Sequence, residues 1–132
     1  MPVTASAAMR ARRLAGLVLL LSLGSACEPR VEYEVNAVAG GNAHRGEAMI
    51  REYGCGTCHS IPGVPGANSL VGPPLKGLAA RAYIGGVLSN TPDNLISWIR
   101  DPQAASPRTA MPDLGVTERD ARDIAAYIYQ VR

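Results

Sequence analysis

The stretch Cys55-Gly56-Thr57-Cys58-His59 decides how the rest of the chain is interpreted. Two thiols this close together can each add across one vinyl group of the same porphyrin, giving two thioether bonds. The histidine directly after the second cysteine then lies under the iron as its proximal ligand. Gly56 and Thr57 are small, which lets the porphyrin edge approach the backbone. The pentapeptide therefore predicts one covalently attached haem c, with Cys55 and Cys58 binding the porphyrin and His59 binding the iron.

Three other interpretations of the pentapeptide compete with haem attachment. A thioredoxin-like redox pair also uses Cys-x-x-Cys, but it expects a surrounding βαβ pattern, which the sequence does not show. A structural zinc site normally needs four protein ligands, and only Cys27 and His44 remain as further candidates. A plain disulfide would leave His59 without a role. Haem attachment is the interpretation that uses all three side chains.

The N-terminal residues 1–26 are typical of a secretory signal peptide, because three arginines precede the apolar run Leu14–Leu23. That run is too short for an ordinary membrane span. Its removal takes away three of the 13 basic residues and none of the 11 acidic ones. The exported chain would then be weakly acidic, so no basic face for nucleic acid is predicted. The 132 residues suggest one small domain.

Cys27 lies where cleavage of the signal peptide would fall, after Leu23-Gly24-Ser25-Ala26. This resembles a bacterial lipobox, in which the cysteine becomes the lipidated first residue, although a lipobox usually has Leu where Gly24 stands. Ordinary cleavage after Ala26 is the alternative. An unpaired exported cysteine is unusual, so we favour a lipid anchor that attaches the protein to a membrane. Residues 27–41, with a short strand considered at Val31 to Val35, are predicted to form a tether, and residues 42–132 the domain.

The first predicted helix runs from Ala43 to Tyr53, with Asn42 as its N-cap. One apolar stripe lies along it, formed by Gly46, Met49, Ile50 and Tyr53. A glycine costs about 1 kcal/mol in a helix interior relative to alanine. Gly46 on this stripe therefore predicts close contact with another backbone. His44 falls off the stripe and is expected to face solvent.

Two further helices are predicted, which makes the fold class all-α. Thr91 is the expected N-cap of the middle helix, with Pro92 in its first turn, and Asp101-Pro102 is expected to end it. Thr117 begins the last helix with a capping-box-like pattern. Between the first two helices, residues 60–90 are rich in Gly and Pro, and a loop this long in a small domain is expected to wrap a ligand. Its apolar residues are candidates to line a haem: Leu70, Val71, Leu75, Leu78, Ile84, Val87 and Leu88.

Met111 is the best candidate for the second axial ligand of the iron. It lies between prolines in Ser106-Pro107-Arg108-Thr109-Ala110-Met111-Pro112, and these would stiffen the loop that carries it. Met49 and His44 lie too near the pentapeptide in sequence, and Met49 is more consistent with helix packing. The alternative for Met111 is a side chain that fills a gap in the core.

The chain from Gly46 to Val131 resembles the mono-haem class I cytochromes c. The resemblance rests on Gly46 in the first helix, the pentapeptide, Gly72-Pro73-Pro74-Leu75-Lys76-Gly77-Leu78, and Ala110-Met111-Pro112 before a terminal helix. It implies an all-α cytochrome c-like fold, with three main helices around one haem and with the first and last helices crossing at Gly46.

The resemblance also implies roles for residues around the haem. The carbonyl of Pro73 would accept a hydrogen bond from His59 Nδ1, which would orient the ring and raise its basicity. Arg81 would lie near a haem propionate, and Trp98 beside the haem, where the family often has an aromatic residue. The chain departs from the mitochondrial proteins in a longer loop after His59 and in having a single lysine. Those proteins dock through a lysine patch, so the partner stays open.

The predicted function is that of a one-electron carrier, not an enzyme. With His59 and Met111 both bound, the iron has no open position and can only alternate between Fe(III) and Fe(II). The expected partners are redox proteins of a respiratory chain, such as a membrane oxidase or dehydrogenase. The chain itself is expected to be a monomer or part of a respiratory complex. A cytochrome subunit of such an enzyme is one alternative. A five-coordinate haem sensor or peroxidase-like enzyme is another, and it requires Met111 to be absent from the iron.

Overall fold

The computed structural model describes Val38 and residues 40–132. The predicted signal peptide, Cys27, the short strand and most of the tether lie outside the described residues. Four α-helices follow one another along the described chain: α1 (Ala43–Glu52), α2 (Pro92–Arg100), α3 (Pro102–Ala105) and α4 (Glu118–Gln130). Two 3-10 turns, Cys55–Thr57 and Leu78–Ala80, and the antiparallel pair β1 (Tyr83–Ile84) and β2 (Leu88–Ser89) lie between α1 and α2. The all-α fold class is confirmed, with this small hairpin added.

The predicted N-caps of the three longer helices are all confirmed. Each cap side chain accepts a hydrogen bond from the backbone N–H three residues later, at 3.0 Å for Asn42, 3.3 Å for Thr91 and 3.2 Å for Thr117. These bonds satisfy donors that the first turn of a helix leaves without intrahelical partners. The helix α1 ends at Glu52, one residue before the predicted boundary. No helix within the described residues is long and apolar enough to cross a membrane.

The sequence predicts that Asp101-Pro102 ends α2, and this is confirmed. The same two residues also begin a further helix. The Asp101 carboxylate accepts a hydrogen bond from Ala104 N at 2.9 Å and so caps the one-turn helix α3. This is the same arrangement of a cap followed by proline that begins α2 at Thr91. The prediction of three main helices is therefore correct but omitted α3, which leads into the segment that carries Met111.

The helices α1 and α4 cross at Gly46, as predicted. A Cβ atom on Gly46 would lie 2.0 Å from the carbonyl oxygen of Asp123, so only glycine permits this backbone approach. Ile50 and Ile124 are almost completely buried beside the crossing. The crossing thus brings the first and last helices of the domain together.

A polar network joins α1 to α4 at the same crossing. Arg45 pairs through Nε with Asp123 and through Nη2 with Asp120 Oδ1, the latter at 2.7 Å. Asp123 also accepts the backbone N–H of Asn42 at 2.7 Å, and Asp120 accepts the hydroxyl of Tyr53 at 2.8 Å. Both carboxylates lie near the N-terminus of α4, whose dipole already favours negative charge. Their partners on α1 give them a second role in fixing how the two helices cross.

Candidate functional site

A cavity of about 650 Å³, here called the central cavity, lies among the pentapeptide, the loop before α2, the segment before α4, and the inner faces of α2 and α4. Its volume is within the range of about 300–1,000 Å³ that is usual for small-molecule and cofactor sites. All eight residues predicted for the haem site line it: Cys55, Cys58, His59, Pro73, Leu75, Arg81, Trp98 and Met111. The fold therefore brings together side chains that are as much as 56 positions apart.

The two cysteines are presented by a short 3-10 turn that begins immediately after α1. Gly54 adopts a positive φ of 70° and turns the chain, after which Cys58 N and His59 N both donate to the carbonyl of Cys55. Both thiols are free and half-buried. Burial raises the pKa of the Cys55 thiol, because the apolar surroundings disfavour the thiolate. Both thiols line the central cavity.

Gly56 lies against the loop that follows the pentapeptide. A Cβ atom on Gly56 would lie 2.9 Å from the Cβ of Ala67, so the loop after the pentapeptide packs directly on this glycine. The sequence had assigned the space beside Gly56 to the porphyrin edge. Contact with Ala67 gives a second reason for a small residue at this position.

His59 is held on two sides. Its Nδ1 lies 2.7 Å from the carbonyl oxygen of Pro73. Because a carbonyl can only accept, Nδ1 carries the proton and the lone pair of Nε2 is left for a metal. Gly72 lies against the ring, since a Cβ there would be 2.5 Å from Cε1, and its N–H donates to the carbonyl of Cys58 at 2.7 Å. Apart from the glycine itself, nothing in the sequence indicates that Gly72 contacts the ring.

Met111 is the candidate ligand that shares the central cavity with His59. Its backbone is fixed from both directions, because Met111 N donates to Thr109 Oγ1 at 3.3 Å and Gln103 Nε2 donates to Met111 O at 2.8 Å. Met49 does not line the cavity, and its sulfur lies 3.8 Å from Arg45 Nη1. His44 is exposed on α1. Of the three candidates weighed from sequence, Met111 is thus the one that lines the central cavity.

The wall opposite the pentapeptide is mostly apolar. Trp98 is nearly buried, and its ring lies against Gly85 of the hairpin, where a Cβ would approach it to 2.4 Å. Arg81 Nη2 donates to the carbonyls of Pro74 and Lys76, so the guanidinium is held at the cavity wall. Seven loop residues are predicted to line a haem. Of these, Val71, Leu75, Leu78 and Ile84 line the central cavity. Leu70, Val87 and Leu88 are not among the residues that line the cavity, and Leu88 borders a separate groove.

Asn90 is a supporting residue that sequence analysis missed. Its Nδ2 donates to the carbonyls of Leu78 and Arg81, both at 2.8 Å, and its Oδ1 accepts the hydroxyl of Tyr129 on α4 at 2.7 Å. It therefore fastens the wall of the cavity to the last helix. The sequence offers no motif for this role, since the partners lie 9 to 39 positions away.

The alternative interpretations of the pentapeptide find no support among the described residues. Cys55 and Cys58 are not joined by a disulfide, and no group of three or more His, Cys, Asp or Glu in this part of the chain could hold a metal ion. The strands described are two residues long and form no βαβ unit. The donor set that remains is two free thiols, one imidazole and one thioether around an apolar cavity, and this set fits a covalently bound haem.

Comparison with known proteins places this site in a family. The family profile for cytochrome c matches residues 43–132. Cytochrome c2 of Blastochloris viridis is 38% identical over 109 residues, which cover 73% of this chain and 83% of that protein. Cytochrome c oxidase subunit 2 of Alkalihalophilus pseudofirmus is 32% identical over 91 residues, which cover 68% of this chain and 26% of that subunit. The chain thus matches about a quarter of the length of that subunit.

The fold agrees with these sequence relationships. The structure of cytochrome c2 from Rhodobacter capsulatus superposes with a TM-score of 0.51, at 24% sequence identity, and the match covers 68% of this chain and 97% of the other. Residues 43–132, which the family profile matches, contain the pentapeptide, the central cavity and the crossing of α1 with α4. We conclude that the chain belongs to the cytochrome c family and is a class I c-type cytochrome, a haem c protein of electron transfer.

Proposed function

We propose that the chain is a one-electron carrier of a bacterial respiratory chain, not an enzyme, with His59 and Met111 as the two axial ligands of its haem. The observation that supports this most is that both side chains line the same apolar cavity, although they lie 52 positions apart. Haem c supplies a one-electron Fe(III)/Fe(II) couple when bound. Two protein ligands leave no iron position for oxygen or substrate, so the residues support electron exchange alone.

Each residue of the central cavity has a part in this proposal. Cys55 and Cys58 would hold the porphyrin through thioether bonds, and His59 Nε2 would bind the iron. Pro73 O keeps the imidazole in one orientation and makes it a stronger ligand. Met111 contributes a neutral thioether, which raises the reduction potential.

The remaining wall residues shape the surroundings of the macrocycle. Trp98 and Leu75 exclude water from it, which lowers the local dielectric constant and favours the less charged reduced state. Arg81, held at the wall by two carbonyls, faces a propionate in this proposal.

Optical spectroscopy of the oxidised holoprotein tests the ligation. We expect a weak far-red band from charge transfer between Met111 and Fe(III), together with slow or absent binding of carbon monoxide to the reduced protein. Met111→Leu should abolish the band and lower the reduction potential. The matched control is Met49→Leu, which removes the methionine of α1 and should leave both unchanged. Rapid binding of carbon monoxide by the wild type would instead favour the five-coordinate sensor or peroxidase.

Attachment is tested separately by Cys58→Ser. Loss of one thiol should leave at most one thioether bond, which shifts the absorption of the reduced haem and lowers the yield of loaded protein. Unchanged haem content and spectra in this variant would contradict the proposed double attachment.

We further propose that the chain is exported and anchored to a membrane by lipidation of Cys27. The support is the order of segments, in which a signal-like stretch precedes a cysteine and a polar tether before the domain. Such an anchor would keep the carrier close to a membrane oxidase or dehydrogenase. Mass spectrometry of the mature N-terminus decides the matter, because a lipidated Cys27 adds the mass of its acyl chains and an unmodified one does not.

A second candidate is a cytochrome subunit with one fixed partner. It is favoured by the 32% identity to a cytochrome c oxidase subunit 2, whose matched part is one segment of a longer protein. The chemistry at the haem would be the same. Purification from mild detergent extracts distinguishes the two, since a fixed subunit elutes in constant ratio with an oxidase or dehydrogenase and a shuttle elutes alone.

A further inference from the structure

The segment that carries Met111, between α3 and α4, contains no helix or strand and is shaped by local hydrogen bonds. Thr109 N donates to Ser106 O at 2.9 Å, and Met111 N donates to Thr109 Oγ1 at 3.3 Å. Further along, Gly115 N donates to Asp113 Oδ1 at 2.8 Å. Each of these bonds joins residues only two or three positions apart, so these bonds do not fix how far Met111 lies from the helices.

Gln103 connects this segment to helix α3. Its Nε2 donates to the carbonyl oxygen of Met111 at 2.8 Å, across eight positions of the chain, and the bond is partly buried. The acceptor is the backbone of Met111 itself. Any large displacement of Met111 relative to α3 must therefore break this bond.

Helix α3 is a firm base for Gln103, although it is only one turn long. Pro102 in its first turn is almost completely buried, and the Asp101 carboxylate caps the helix through Ala104 N at 2.9 Å. Asp101 N also donates to Ser97 O at 3.0 Å, which joins α3 to the last turn of α2. The side chain of Gln103 therefore extends from a backbone that is fixed on α2.

The C-terminal part of the chain offers no ready replacement for Met111 as a ligand. Residues 77–132 contain no histidine, cysteine or lysine and no second methionine. They therefore hold no other nitrogen or sulfur side chain that readily binds haem iron. A neutral thioether also stabilises Fe(II) more than Fe(III), which is why it raises the reduction potential. Displacement of Met111 in the oxidised protein would thus open the iron to ligands from solution.

We propose that Gln103 is a positioning residue that keeps Met111 on the iron and thereby closes the site to external ligands. This inference rests on the proposed function, because it requires His59 and Met111 as the axial ligands. The hydrogen bond from Gln103 exists only while Met111 is in place, so it shifts the equilibrium between the closed and open positions of Met111. A bond of this kind changes such an equilibrium by about three- to tenfold. Without Gln103, the same haem site would bind small ligands more readily.

Imidazole binding to the oxidised holoprotein, followed by its absorption spectrum, tests this inference. Gln103→Leu keeps an apolar stem but removes the donor, so we expect the affinity for imidazole to rise about three- to tenfold. The matched control is Asn94→Leu, which removes an amide-to-carbonyl bond of the same length, from Asn94 Nδ2 to Ser89 O at 2.8 Å, outside the central cavity. This control should bind imidazole as the wild type does. Unfolding in guanidinium chloride is measured in parallel to separate opening of the site from loss of overall stability.

Variants of Asp101 test whether α3 is the base of Gln103. Asp101→Ala removes the cap of α3, so the affinity for imidazole should rise although the amide of Gln103 is still present. Asp101→Asn can accept the same backbone N–H, because asparagine caps helices about as well as aspartate, and its affinity should return close to that of the wild type. An unchanged affinity in Asp101→Ala would contradict the role of α3.

The rate of binding separates failure of this inference from failure of the proposed function. With Met111 on the iron, the rate levels off at high imidazole concentration at the rate at which Met111 leaves, and this limit should be higher in Gln103→Leu. An unchanged affinity and limiting rate in Gln103→Leu, or an equal rise in Asn94→Leu, overturns the inference. If Met111 is not a ligand at all, the wild type itself shows no far-red band and binds imidazole at a rate proportional to its concentration.

Discussion

Gly46 on α1 lies so close to Asp123 on α4 that a Cβ atom would stand 2.0 Å from the Asp123 carbonyl oxygen and 3.0 Å from Ile124 N. Both contacts are with backbone atoms, which cannot rotate away as a side chain can. The distance between the two helices is therefore set by the absence of one methyl group. Because α4 also lines the central cavity through Ile124 and Ile128, this distance helps to fix the width of the cavity.

Gly46→Ala should destabilise the holoprotein, because the helices must separate to admit the methyl group. Overpacking of this kind costs about 1–3 kcal/mol, partly offset by the roughly 1 kcal/mol that alanine gains over glycine in a helix. Because the contact would be with a backbone carbonyl at 2.0 Å, the cost lies at the upper end of that range, and we expect a net loss of about 2 kcal/mol in the free energy of unfolding, measured with guanidinium chloride. Glu47→Ala on the same helix is the control and should stay within about 0.5 kcal/mol of the wild type. Equal stability of Gly46→Ala and the wild type would contradict the close crossing.

Gly72→Ala should disturb the proximal histidine more than it disturbs the fold. The new methyl group would lie 2.5 Å from His59 Cε1 and 2.8 Å from Nδ1, so the ring must tilt and its bond to Pro73 O must weaken. Loss of that bond reduces the basicity of the ligand. We expect a higher reduction potential and an altered spectrum in the oxidised state. Gly66→Ala, where the methyl group meets nothing within 4 Å, is the control for backbone strain, and its spectrum should be normal.

Asn90→Ala should loosen the wall of the cavity that carries Arg81. The change leaves the carbonyls of Leu78 and Arg81 without their side-chain donor and the hydroxyl of Tyr129 without its acceptor. We expect a loss of about 2–3 kcal/mol in the free energy of unfolding. Tyr129→Phe removes one of the three bonds and should cost about 1 kcal/mol. Hydrogen exchange at the amides of residues 78–81 should be faster in Asn90→Ala, and unchanged exchange would contradict this role.

Asp120 should make the stability of the domain depend on pH. Hydrogen bonds from Thr117 and Tyr53, and the ion pair with Arg45, lower the pKa of Asp120 below its ordinary value. A carboxylate with a lowered pKa in the folded state contributes stability above its unfolded pKa, and this is lost as the pH falls through the folded pKa. Asp120→Asn should therefore be less stable than the wild type at pH 7, with a difference that shrinks below about pH 4.

The measurement is unfolding of both proteins at a series of pH values, with exposed Asp93→Asn as the control for loss of a surface carboxylate. A difference between Asp120→Asn and the wild type that stays constant from neutral to acid pH would contradict the role of the network.

Much of the local structure could be predicted because its causes are local in sequence. The N-caps Asn42, Thr91 and Thr117 each act on an N–H three residues away, so a short segment contains the whole interaction. The pentapeptide is equally self-contained, since the spacing of its thiols and imidazole is fixed by five adjacent residues. The same local logic could have found α3, where Asp101-Pro102 repeats the pattern of Thr91-Pro92.

The loop residues show where such prediction ends. Residues 60–90 have no regular period, so hydrophobicity alone could not tell that Val71, Leu75 and Ile84 line the cavity while Leu70 and Val87 do not. In an irregular backbone the direction of each side chain depends on turns and on distant hydrogen bonds. One such bond joins residues 65 positions apart, because the hydroxyl of Tyr127 donates to the carbonyl of Pro62 at 2.8 Å.

The sequence by itself determined the chemistry of the site and the ends of the longer helices, because adjacent residues carry both. It also suggested Gly46 and Met111 as residues with long-range partners, without naming the atoms they meet. Tertiary structure alone decided that Asp120 and Asp123 bind Arg45, that Gly72 supports His59, and that Asn90 holds the cavity wall. The physical reason is that these contacts join residues nine or more positions apart, so the distance between them depends on how the whole chain folds back on itself, and no local pattern encodes that distance.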